Sequence, residues 1–352
     1  MRPSLLPHLR CPSCRAQHSL VLTARASDEH EVREGDLDCS NCRSTFAIAD
    51  GIVDLLWDAP EFVEREAAGL DRFADVMRAD GWDRERILAL PDVPLAYWAA
   101  QRQAMDSVLQ MADFQPGERL LDVGSNTCWA SNIFAREGLD VIALDIATAE
   151  MQGLRTAEYF LAGGAVYFER LLSVMYEPAI ASESLDYVFC CEVLHHNDSA
   201  NLKRTLREMY RVLKPGGRLF VVNEPMRFPL RPKLDHAREV EQFEGNEHVY
   251  FFHQYVLAAR AAGFEIRAPW LRGVPPDDGG SAERVPPGRR LAPLERAVRR
   301  RAAGRKLIGG ARIARYAWRH VLLGDRSLFL DCRKPSAAAA ACLKRRQRLR
   351  SS

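Results

Sequence analysis

The chain has 352 residues, 47% apolar and 27% charged, which excludes wholesale disorder and fibrous repeats. Its 49 Lys+Arg against 47 Asp+Glu give a net charge of only +2, yet the charge is segregated. Residues 1–283 hold 29 basic and 44 acidic side chains, and residues 284–352 hold 20 basic and 3 acidic. The length predicts two or three domains. No run of about 18 apolar residues exists, so no transmembrane segment is expected. The opening MRPSLLPHLRCPSC lacks the apolar stretch of a secretory signal. Nine cysteines, four of them in two C-x-x-C pairs, favour a reducing compartment with a metal site over a disulfide framework. A cytoplasmic location is expected.

The pairs are Cys11-Pro12-Ser13-Cys14 and Cys39-Ser40-Asn41-Cys42. Each C-x-x-C turn offers two thiolates from one knuckle, and four thiolates fill a tetrahedral Zn2+ sphere. The metal is therefore expected to be structural and to supply much of a small ribbon's folding free energy. A redox C-x-x-C or plainly buried cysteines are the alternatives. A hairpin between the pairs would bring the knuckles together, with Leu9, Phe46, Ile48 and Ile52 packing around them. The continuation Asp50-Gly51-Ile52-Val53-Asp54-Leu55-Leu56 resembles the ending of Trm112-like zinc ribbons, with Val53 where that pattern has Pro. The resemblance covers residues 1–57, and such domains support methyltransferases.

Residues 58–115 read as a helical connector. Phe62, Leu70, Phe73 and Met77 recur at helical spacing, Pro91 and Pro94 interrupt it, and a helix follows from Tyr97 to Met111. No chemistry is legible here, and packing is the expected role.

Next comes a strand, Arg119 to Val123, a turn at Gly124, a helix from Trp129, and a second strand from Asp140 that ends in the carboxylate of Asp145. Strand, tight turn, helix, strand and acid make the first βαβ unit of a doubly wound sheet, whose ligands bind at the carboxyl ends of its strands. A terminal carboxylate suits a ribose diol, because it can accept from both hydroxyls. Downstream, Leu185 to Cys191 reads as a buried strand running into Glu192-Val193-Leu194-His195-His196. An amphipathic helix, the turn Lys214-Pro215-Gly216-Gly217 and another strand to Asn223-Glu224 follow. Over residues 117–228 this series resembles the class I S-adenosylmethionine (SAM)-dependent methyltransferases of the type 11 group. An NAD-dependent oxidoreductase has no place for the KPGG turn or the EVLHH loop. The fold class implied is α/β, a Rossmann-like seven-stranded methyltransferase sheet with a small N-terminal zinc ribbon.

The resemblance assigns the cofactor SAM to particular positions. Asp122 organises the loop under the methionine moiety, and Gly124 lets the backbone approach without a Cβ clash; Ser125 and Asn126 continue that loop. Asp145 binds the ribose hydroxyls and Ile146 packs on adenine. Glu192 and Val193 line the methionine or substrate side. Two departures stand out. Asn126 and Cys128 replace glycines, and Asn tolerates a left-handed backbone better than most residues. Cys128, near a helix N-terminus, is either a tolerated small residue or a reactive thiol. Ser173 stands where the family has an adenine-reading Asp, so that contact passes to Ser173 or to the Val174 backbone.

For an acceptor hydroxyl or amine, a His near neutral pKa is the usual proton acceptor. His196 is the first candidate, His195 the second and His253 the third. A plain hydrogen-bonding role is the alternative for each. Glu224 is either an acceptor-binding carboxylate or an ordinary loop acid, and Cys190 and Cys191 are expected to be inert core.

The expected domain spans residues 116–335. Its sixth strand falls at 263–267 and its seventh at 326–335, separated by a basic helical insertion at about 272–325; residues 336–352 form a disordered basic tail. Arg284 to Arg319 contains 12 basic residues and one acid. Three roles compete for this stretch: a solvated helix over the sheet, a surface for an anionic substrate or peripheral membrane contact, and RNA binding. The leading expectation is O-methylation of a small-molecule or glycan acceptor in a biosynthetic pathway. An RNA methyltransferase and a SAM-binding scaffold without turnover are the alternatives.

Overall fold

The computed structural model describes residues 1–227, 247–267 and 327–336. The expected basic insertion at 272–325 and the tail beyond residue 336 lie outside the described residues. Thirteen strands and seven α-helices are described. Four short strands open the chain: β1 (Leu20–Ser27), β2 (Val32–Cys39), β3 (Thr45–Ala49) and β4 (Ile52–Asp54). The connector supplies α1 (Glu61–Ala79), α2 (Arg84–Leu88) and α3 (Ala96–Met111). The central unit runs β5 (Arg119–Val123), α4 (Trp129–Arg136), β6 (Asp140–Asp145), α5 (Ala157–Leu161), β7 (Glu169–Leu172), β8 (Leu185–Cys191), α6 (Ser199–Val212) and β9 (Leu213–Glu224). A small pair, β10 (Met226–Arg227) and β11 (Tyr250–Phe251), precedes α7 (Phe252–Ala262), β12 (Glu265–Arg267) and β13 (Leu328–Arg333).

Eleven strands form one sheet, in the order β1-β2-β3-β4-β7-β6-β5-β8-β9-β13-β12. The last seven make the doubly wound, seven-stranded sheet expected from the sequence. β7, β6, β5, β8 and β9 pair in parallel, while β13 runs antiparallel to β9 and β12 antiparallel to β13. The order reverses between β5 and β8, which is the topological switch point where such sheets bind ligands.

The two faces of the sheet bury separate cores. Leu121, Val123, Val188 and Val221 pack on one side with α6, α7 and the ribbon. Their neighbours Leu120, Phe189, Phe220 and Val222 pack on the other with α3 and α4, as the two-residue period of a strand requires. Of the residues expected around the knuckles, Leu9, Phe46 and Ile48 are buried with Cys11 and Cys39, whereas Ile52 faces the opposite core.

The ribbon is not a separate bead. β4 pairs in parallel with β7, Ile52 opposite Arg170 and Asp54 opposite Leu172, so the hydrogen-bonded sheet runs through the expected boundary at residue 57. Charges reinforce the joint. Arg170 on β7 is fully buried and pairs with Glu31 of the ribbon and with Glu158. Tyr167 donates to Glu31 and Glu169, both at 3.0 Å.

Candidate functional site

The site lies at the carboxyl ends of β5, β6 and β8, under α1 and α3. Its floor is the turn from Gly124 to Cys128. Gly124, Asn126 and Cys128 all adopt left-handed backbone, with φ of +68°, +44° and +57°, so the turn keeps a glycine-like path although two of the three residues carry side chains. Only glycine fits at 124: a Cβ there would lie 2.4 Å from Cγ2 of Val193. Cys128 is fully buried. Burial, with Asp122 and Asp145 nearby, pushes its thiol far up, which removes the reactive-thiol alternative. The Cys190 and Cys191 thiols are likewise held up by burial.

Two carboxylates are buried beneath this turn. Asp122 accepts from Ser131 Oγ at 2.6 Å, and burial pushes its pKa up to about 7. Asp145 accepts from the Asn126 amide at Oδ2 (2.8 Å) and from the Ile146 and Ala147 amides at Oδ1 (2.8 and 3.0 Å). Burial raises its pKa to about 6 against those bonds. A carboxylate has about four acceptor positions, and three are taken, so Asp145 has room for one further donor and not for a whole diol. Thr127 Oγ1 is buried with no hydrogen-bond partner among the described residues, an orphan polar atom of the kind a bound ligand satisfies. These features fit SAM: a left-handed turn at the strand ends, a one-donor vacancy on Asp145 and an unsatisfied hydroxyl.

Ser173 is buried, and its Oγ accepts from the Ala179 amide at 3.3 Å. Its hydroxyl thus caps its own turn, while Val174 and Ile146 are half-buried beside it. Glu192 has φ +49° and accepts from Tyr97 of α3 at 2.6 Å.

The loop after β8 is locked by Glu224 at the end of β9. Its carboxylate is fully buried and accepts from the Val193 and Leu194 amides at 2.7 Å each and from the His195 amide at 3.2 Å. His195 Nδ1 lies 3.0 Å from it. Burial raises its pKa, but His195 and these amides bring it below the usual carboxylate range. Glu224 is thus spent on shaping the loop. The His195 and His196 rings are tilted by 35° to each other, with centres 4.3 Å apart. His196 Nδ1 lies 2.6 Å from Oε1 of Glu66 on α1. Burial lowers its pKa, but Glu66 outweighs it and carries the imidazole up to about 9. His253 is exposed in the first turn of α7, its ring stacked on Phe251, and makes no contact with the other two among the interactions described.

Sequence reading missed Glu66 and Tyr97, both in the connector. For Glu66 a signal existed. Val63, Glu66, Ala74 and Met77 form the buried stripe of α1, so a carboxylate sits on the apolar face of an amphipathic helix.

The four ribbon cysteines form a second centre. Their sulfurs all lie within 4.8 Å of one another, with Cys11–Cys42 and Cys14–Cys39 each 3.6 Å apart. Four sulfurs about 2.3 Å from a tetrahedral zinc stand roughly 3.8 Å apart, so the donor set fits a metal. Among the described residues it is the only such cluster, and no helix there is long and apolar enough to cross a membrane.

Part of the chain is similar to known proteins. Over 119 residues the chain is 30% identical to the malonyl-[acyl-carrier protein] O-methyltransferase of Serratia marcescens, covering 34% of this chain and 43% of that protein. Over 156 residues it is 31% identical to the ubiquinone biosynthesis O-methyltransferase of Xanthomonas axonopodis pv. citri (strain 306), covering 43% and 59%. The chain therefore spans less than two thirds of each relative. A solved phosphoethanolamine N-methyltransferase 2 of Haemonchus contortus, in complex with S-adenosylhomocysteine, overlays with a TM-score of 0.44 at 17% identity, covering 75% of this chain and 61% of that one. Residues 121–221 match the family described as a methyltransferase domain, and with the switch-point site just described this chain carries a class I SAM-dependent methyltransferase domain.

Proposed function

We propose that this chain transfers a methyl group from SAM to an oxygen of a small-molecule acceptor in a biosynthetic pathway. The observation that carries the reading is the convergence of the left-handed Gly124–Cys128 turn, the orphan Thr127 hydroxyl and the Asp122 and Asp145 carboxylates at the switch point. The choice of oxygen follows the two O-methyltransferases above. Bound SAM supplies an activated methyl carbon, so the chain's task is positioning and charge control. The turn and Asp145 would hold the nucleoside. Ile146 and Val174 would flank the base, and Glu192 and Val193 the methionine side. α1 and α3 reach the strand ends through Glu66 and Tyr97 and would keep water from the reacting atoms. The Cys11, Cys14, Cys39 and Cys42 set would hold one structural Zn2+, with no open position for chemistry.

Calorimetry tests the cofactor assignment. SAM or S-adenosylhomocysteine binds the metal-loaded protein, and Asp145→Ala weakens binding at least tenfold, about 1.4 kcal/mol. Absence of binding by folded wild type would defeat it. A labelled-methyl assay on cell extract, split into RNA, lipid and small-metabolite pools, tests the acceptor: label should enter the small-metabolite pool, and label confined to RNA would overturn the small-molecule assignment.

A further inference from the structure

The connector contributes a charged group to the centre of the site. Glu66 is buried on α1, at 9% exposure, and its Oε1 is 2.6 Å from His196 Nδ1. A carboxylate that close favours the protonated ring. The surroundings point the same way. Glu247 and Glu224 add negative potential, and the His195 ring beside it is itself paired to Glu224. We infer that Glu66 is a positioning residue that fixes His196 as an imidazolium, so that His196 is not the proton acceptor of the reaction but a cation that orients an acceptor arriving already ionised, a carboxylate or an acidic phenol or enol.

This inference rests on the methyltransferase reading above. The acceptor oxygen then bonds to the methyl carbon with its own electron pair, and the carbon–sulfur pair stays on sulfur. No proton is transferred in that step, so charge and atoms balance without a general base. The arrangement also gives the β8 loop two carboxylate–imidazole pairs from different elements, Glu224–His195 from β9 and Glu66–His196 from α1.

Two measurements on the full metal-loaded chain test it. Histidine NMR in the presence of S-adenosylhomocysteine should find His196 protonated through pH 8 in wild type, consistent with a pKa of about 9. In Glu66→Gln it should titrate at least about two units lower, and Glu66→Asp should largely restore the wild-type value. A wild-type His196 that titrates near 6.5, or a Glu66→Gln shift under half a unit, would overturn the inference. The pH profile of methyl transfer to the small-metabolite pool gives the second readout. A fixed cation predicts a rate already full at pH 7 that falls as pH passes 9; a rate that instead climbs through pH 9 would identify His196 as a base and refute the proposal. Failure of S-adenosylhomocysteine to bind wild type would defeat the methyltransferase reading, while the NMR titration would still judge the Glu66–His196 pair.

Discussion

Asp122→Asn should make the protein more stable above neutral pH, with the gain vanishing in acid. Asp122 is 2% exposed and, among the described residues, has one side-chain hydrogen-bond partner, the Ser131 hydroxyl. Its folded pKa of about 7 stands above the ordinary 3.8. The folded state therefore keeps a proton that the unfolded chain has released, and stability falls as pH rises from about 4 to 7. At about 1.4 kcal/mol per unit, the loss between pH 5.5 and 8 is on the order of 2 kcal/mol. Asn is nearly isosteric, still accepts from Ser131 and has no charge to desolvate. Asp145, raised to about 6, titrates in both proteins, and its repulsion of the Asp122 carboxylate is part of the penalty that the substitution removes. Urea melts of wild type and variant at half-unit steps from pH 5.5 to 8.5 would show the two curves separating as pH rises. A stability difference that is flat across that range, or a variant less stable at pH 8, would refute the assignment of Asp122 as a destabilising buried acid. The same variant should bind S-adenosylhomocysteine more weakly, which explains why the cost is tolerated: buried unpaired charge at a functional site trades stability for ligand organisation.

Gly124→Ala should lose about 2–3 kcal/mol, because it adds positive-φ strain and drives a Cβ into Val193; Gly124→Ala/Val193→Ala should recover part of that loss in chemical denaturation, and no recovery would show that the clash is not with Val193. Metal analysis should give about one zinc per chain. Chelation should speed hydrogen exchange at β4 and β7 before it touches α6, since β4 joins the ribbon to β7; equal acceleration everywhere would mean that the ribbon and the sheet unfold as one unit.

The doubly wound core was legible because its signals are local. The apolar strands, the acid after β6, the EVLHH loop and the KPGG turn each mark an element by short-range pattern, and the elements fall close to where they were expected. The left-handed conformation at Asn126 was also readable, because few other residues suit it. What escaped depends on contacts distant in sequence. Asp145 looked able to grip a diol, but the Asn126 amide nineteen residues earlier occupies one of its oxygens. Glu224 read as either an acceptor-binding carboxylate or an ordinary loop acid, and only the fold shows the loop after β8 consuming it. His196 read as the first candidate for a base or as a plain hydrogen-bonding group, and only the fold brings Glu66, 130 residues earlier, to within 2.6 Å of it.

The pairing of β4 with β7 also decides where the molecule is open to association. In a seven-stranded sheet without the ribbon, β7 would be a naked edge with unpaired backbone groups, one strand removed from β5 and the turn that follows it, a template for stray strand addition. Here that edge is sealed, and the free edge moves four strands outward to β1, about 19 Å at the usual strand spacing. Truncation before residue 58 would thus do more than remove the four-cysteine cluster: it would leave β7 as an unpaired edge, and such a fragment should precipitate or oligomerise where the whole chain does not.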